Sequence, residues 1–180
     1  MASELIVQTI QGPSSGANAN KVLIPSGHTL DVSGGTLTPS SGQAVQIVRY
    51  WNGWDSQSTT STSLVASSVQ GSITPIYDNS LILIDVYTSM SHAGGSYPLE
   101  ECKVYVDAGS GYSALSGSGQ WGHTYVPANG YQPSCSFSTY TATSTNQLNF
   151  KLYYRTTGTG TAYIVHPSSS WGVTLTEIKQ

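Results

Sequence analysis

The chain has 180 residues, room for one domain of ordinary size plus a short extra segment. Only 8% of them are charged, against about 25% in an average globular protein, and the formal net charge is -3. Six Lys and Arg cannot neutralise a phosphate backbone or hold an anionic bilayer surface, which excludes nucleic-acid binding and a polybasic membrane anchor. Disorder is excluded too, because 38% hydrophobic residues with 12 Tyr and 4 Trp can build a core.

At the start, Met1 to Val7 lacks the basic end and long apolar run of a signal peptide. No run approaches the ~18 apolar residues of a membrane helix. The expectation is synthesis in the cytoplasm without a leader and no membrane insertion. Residues 1–17 read as a short apolar strand carrying Leu5, Ile6, Val7 and Ile10, followed by a Gly/Ser/Asn linker. That strand either folds back onto the main sheet or adds to a neighbouring protein as an attachment element.

Residues 18–42 have another rhythm. Short apolar pairs such as Leu23-Ile24 recur every six to seven residues between Ser26-Gly27 and Gly34-Gly35 turns. Units this small bury their apolar faces only when stacked or wrapped about a common axis, as in a β stalk; a plain hairpin is the alternative.

Residues 43–180 read as an antiparallel jelly-roll sandwich of about eight to ten strands. The first strand runs from Ala44 to Trp51 and the next from Val69 to Ile73. Leu81 to Tyr87 is a continuous apolar run, expected as a central strand buried on both faces. Glu101 to Val106, Tyr112 to Leu115 and Cys135 to Thr141 follow, with a long loop from Gly117 to Pro133. Leu148, Phe150, Leu152 and Tyr154 alternate with Asn149, Lys151, Tyr153 and Arg155, the period of a strand with one face in a core. Thr161 to His166 and Trp171 to Ile178 are expected as its two partners in one sheet.

No pattern of residues points to catalysis, and neither enzyme activity nor a cofactor is expected. His28, His92, His123 and His166 lie in the stalk-like repeat or in loops, without metal-ligand spacing. Glu100 and Glu101 are adjacent, so in a strand their carboxylates point to opposite faces, unlike the facing pair of a glycosidase. Cys102 and Cys135 are expected as two buried thiols rather than a disulfide. The better lead is aromatic: Trp54, Tyr97, Tyr112, Trp121, Tyr125 and Tyr131, with Trp51, fall in or beside loops. Flat rings with a polar tip bind sugar faces, although the same residues could cap the sandwich ends or pack between subunits.

Several stretches resemble a β domain recurrent in tail-fibre and related virion proteins of tailed bacteriophages, marine ones especially. They are Ser72-Ile73-Thr74-Pro75, Ser80 to Ile84, Leu148 to Arg155, Thr161 to Ile164 and Val173 to Ile178. Met1 to Leu5 and Ile24 to Leu37 are similar to the leader and stalk of the same proteins, while residues 52–66 and 107–133 lie outside the likeness. The resemblance implies a homotrimeric jelly roll of the tumour-necrosis-factor and complement-head kind. It also implies a virion location, contact with other virion proteins through the N-terminus, and a structural role that extends to adhesion on a host-surface glycan. Fibre-type members are longer, which leaves a short fibre or knob, or a capsid or tail decoration that cements without adhesion. A free lectin-like carbohydrate-binding module is the reading outside the virion.

Overall fold

A computed structural model describes residues 13–17, 22–29, 38–53, 55–94, 100–115, 131–165 and 170–180. The chain divides into two units, residues 1–38 and 39–180. In the first, Pro25 to His28 form a turn closed by the His28 N–H on the Pro25 carbonyl at 3.1 Å, with Gly27 at φ +81°. That is the left-handed position a Ser-Gly turn requires of glycine.

The second unit is all β, with no helix among the described residues. Its strands are β1 (Ala44–Gly53), β2 (Gln57–Thr59), β3 (Val65–Ile73), β4 (Leu81–Ala93) and β5 (Glu100–Asp107). Then come β6 (Ser113–Ala114), β7 (Tyr131–Thr141), β8 (Leu148–Thr156), β9 (Thr161–Ile164) and β10 (Ser170–Ile178). Every pairing is antiparallel. One sheet runs β1-β10-β4-β9-β2 with β7 also on β4, and the other runs β3-β8-β5-β6.

The registers make the larger sheet simpler than its strand count. Val86 pairs with Val173 of β10 and with Ser136 of β7, while Met90 pairs with Ile164 of β9 and with Gln132 of β7. So β10 and β9 lie end to end along one edge of β4, with β7 along the other. In the same way β1 pairs with β10 and β2 with β9. The sheet is four ribbons wide, two of them broken, and faces a second four-stranded sheet in a sandwich of jelly-roll type.

The core lies between the sheets. Leu148, Phe150, Leu152 and Tyr154 are each at most 2% exposed, and their alternates are half-buried. They meet Val69 and Ile73 of β3, Val104 and Val106 of β5, Ile82, Ile84 and Val86 of β4, and Val173 and Leu175 of β10. Each such side chain contributes about 1.5–3 kcal/mol by leaving water. One close approach fixes the spacing of β1 and β3: a Cβ at Gly71 would stand 2.6 Å from Cδ2 of Tyr50, so only glycine lets that ring lie there. The Tyr50 hydroxyl donates to the Ser72 carbonyl at 2.8 Å, tying the two strands together.

Several expectations need correction. β8, β9 and β10 do not pair with one another; β8 belongs to the second sheet and the other two to the first. The chain therefore crosses between layers from β8 to β9, and β9 and β10 then share the larger sheet. In β4 the stretch Leu81 to Tyr87 is central but not buried on both faces. Ile82, Ile84 and Val86 point inward, Leu83 is half-buried, and Asp85 and Tyr87 are exposed. The stretch buried on both faces is the next one, Thr88 to His92. His92 is thus a strand residue at 1% exposure rather than a loop residue. Tyr131 to Pro133, expected in the long loop, belong to β7. Cys102 is buried, but Cys135 is exposed on β7, and both are free thiols.

Candidate functional site

Three arrangements of polar or aromatic side chains stand out, and only two reach solvent. The inaccessible one is a set of buried carboxylates. Glu177 of β10 accepts the N–H groups of Ile76 (3.0 and 2.9 Å) and Tyr77 (3.0 Å), and the Gln46 side-chain amide at 2.6 Å. Burial acts to raise its pKa, but these bonds prevail and hold it below the ordinary value. Glu101 and Glu100 leave β5 on opposite faces. Glu101 accepts from Nε (2.8 Å) and Nη2 (2.5 Å) of Arg155, whose Nη1 donates to the Thr62 carbonyl at 3.1 Å.

Glu100 points inward beside Cys102. Its Oε1 accepts the Tyr163 N–H at 3.0 Å, and its Oε2 has no partner. Burial pushes this carboxyl up to about 8 against the pull of that N–H, so at neutral pH it is held mostly as the acid. The Cys102 thiol is raised as well, first by burial and then by Glu100 and Glu101, and lies 3.6 Å from the Met90 sulfur. A thiol so placed is a packing group rather than a nucleophile. Among the described residues no three His, Cys, Asp or Glu side chains gather as a metal site.

The second arrangement is the outer face of the larger sheet. Ile47 and Trp51 of β1 are 62% and 70% exposed, Tyr87 of β4 40%, and Phe137 of β7 63%. The registers Trp51↔Gly172↔Tyr87↔Cys135 set the two rings on either side of a glycine. They lie 6.3 Å apart and within 4° of parallel, and a Cβ at Gly172 would stand 2.8 Å from the Trp51 ring. An open hollow of about 530 Å³ sits here, bordered by the exposed Arg49 and Asp85.

The third arrangement is a groove of about 520 Å³ where β1 and β10 meet β3. It is lined by Tyr50, Trp51 and Trp171 from β1 and β10, by Ser68, Gln70 and Ser72 from β3, and by Asn149 and Tyr112. Tyr112 is held by a small aromatic stack on the second sheet. Its ring tilts 55° to Tyr153 at 6.1 Å, Tyr153 stacks on Tyr105 at 4.0 Å, and the Lys151 ammonium stands 5.2 Å from the Tyr112 centroid. Burial, then Asp107 and Tyr153, raise the Tyr112 hydroxyl above its ordinary pKa, so it remains a hydrogen-bond donor.

Of the aromatics expected to contact a ligand, the structure places Tyr112 on this groove. Tyr131 opens β7 and pairs through its backbone with Ser91. Trp54, Tyr97, Trp121 and Tyr125 lie outside the described residues, as do Leu5, Ile6, Val7 and Ile10. Trp51 is in β1, near its end, where the sequence placed it. Sequence reasoning missed Ile47, Tyr87 and Phe137 as surface groups. A signal was present in β1, where Ile47 and Trp51 occupy one parity and Val48 and Tyr50 the other. A strand apolar on both parities has two faces to cover.

Compared with known proteins, the chain matches no protein-family model, and no curated protein matches it.

Proposed function

We propose that the chain is a structural protein of a tailed-phage virion, a short fibre- or knob-like appendage. In this reading its head assembles as a homotrimer and presents an adhesive surface to a host glycan. The observation that carries the self-association is the outer face of the larger sheet. Ile47, Trp51, Tyr87 and Phe137 give a soluble monomer an apolar surface it has no use for. Arg49 and Asp85 on the same face let a second copy meet like with unlike, and a net charge of -3 sets little repulsion against association. The occupant is therefore a further copy of this chain. The virion location rests on the resemblance of the stalk and strand motifs to phage fibre proteins. A capsid or tail decoration would use the same face to cement neighbours, without adhesion.

Attachment is assigned to residues 1–42. Deleting them is expected to abolish incorporation into purified virions while the remaining head stays folded by circular dichroism. Unchanged incorporation of the truncated chain would remove the attachment role.

A further inference from the structure

We infer that the groove between β1, β10 and β3 is the site that takes a saccharide, and that the sugar it takes is uncharged. The inference rests on the adhesive part of the proposed function and gives it a place and a ligand class. Among the described residues, the groove's hydrogen-bonding side chains are Asn52, Gln70, Asn149, Ser68 and Ser72, the Tyr50 and Tyr112 hydroxyls, and one carboxylate, Asp55. Side-chain amides offer a donor and an acceptor side by side, the pattern that vicinal sugar hydroxyls present in return. Among the described residues no Lys or Arg lines the groove, and its carboxylate, Asp55, repels a phosphate, sulfate or uronate. One carboxylate is also too few oxygen ligands for a cation.

The aromatic groups complete the chemistry. Tyr112 lines the groove, and its ring packs beside Tyr153 and Lys151. A ring supported by such neighbours stacks on a sugar face with less loss of side-chain freedom than an unsupported one. Two residues of the lining also carry a buried polar atom with no partner in the chain, Ser68 Oγ and Trp171 Nε1. Trp171 as a whole is 5% exposed. A buried donor without an acceptor is costly, and a hydroxyl seated against this wall, with a small adjustment of the half-exposed side chains above it, relieves that cost.

The test is a titration of the 15N-labelled full-length chain with glucose, galactose, mannose and N-acetylglucosamine, with glucuronate as the anionic comparison. The indole N–H resonance of Trp171, identified by its loss in Trp171→Phe, is followed throughout. At least one neutral sugar is expected to move it downfield as the N–H gains an acceptor, and glucuronate is expected to bind more weakly. Gln70→Ala and Asn149→Ala alter exposed or half-buried side chains and leave the core intact. Combined, they are expected to weaken binding by roughly tenfold. Trp51 is left unchanged because it also belongs to the outer face. Sugar binding that ignores the Gln70 and Asn149 substitutions would overturn the groove while sparing adhesion elsewhere. No response to any of the sugars would overturn both.

Discussion

Glu100 is the residue whose environment and chemistry conflict most. Its carboxyl is fully buried with one oxygen unpaired, and its pKa stands at about 8 against an ordinary 4.5. Below 4.5 the folded and unfolded chains both hold the proton. Between 4.5 and about 8 only the folded chain holds it, so this group makes folding stability fall as pH rises through that window. The slope is at most about 1.4 kcal/mol per pH unit. His92, lowered mainly by burial, acts in the opposite direction, since its unfolded form binds the proton first. The informative quantity is therefore the difference between the parent chain and Glu100→Gln. In urea titrations across this window the variant is expected to gain stability relative to the parent as pH rises. A constant difference would show that Glu100 does not keep its proton in the fold.

At the scale of elements, β7 is the strand whose burial runs against its sequence. Ser136 and Ser138 face inward, with buried hydroxyls that have no partner, while Cys135 and Phe137 face out. Register with β4 dictates this: Ser136 pairs with Val86 and Ser138 with Ile84, both inward residues, so their neighbours in β7 must point outward. A strand that sends Phe outward and Ser inward is stable where something covers the Phe. Phe137→Thr is expected to leave the far-UV spectrum unchanged and to weaken self-association roughly tenfold or more, read by sedimentation. An unchanged association constant would take β7 out of the interface.

The same strand shows where sequence reading ends. In β8 the Leu148-to-Tyr154 alternation was legible because one face meets the core and the other water, so composition follows burial. In β4 and β7 that relation fails. β7 turns Phe137 outward and Ser136 and Ser138 inward, and in β4, from Leu81 to Tyr87, a strand with one covered face looks like a strand with two. Pairing was illegible for a different reason. β8, β9 and β10 follow one another within a few residues of sequence, yet which sheet each joins depends on contacts with β3, β4 and β5 far away in sequence. Of the groove, Tyr112 and Trp51 carried a local signal, as aromatics in or beside loops. Gln70, Asn149 and Trp171 come from three strands and meet only when the sandwich closes.

For the whole molecule, low charge, a two-faced sheet and a separate N-terminal unit fit a module that works by assembly. The interior uses its polar groups to tie strands together, as Glu177 does for the turn at Ile76 and Tyr77. On the exterior, four large apolar groups, Ile47, Trp51, Tyr87 and Phe137, share one face of one sheet. That division makes oligomeric state the property on which the functional reading depends. The most direct measurement is the solution mass of the full-length chain by light scattering, compared with a Trp51→Glu, Phe137→Glu variant. The parent is expected near three times 19.0 kDa, and the variant, with two carboxylates on the apolar face, near 19.0 kDa. A parent chain that stays monomeric at every concentration, or a variant that remains trimeric, would contradict assembly through this face.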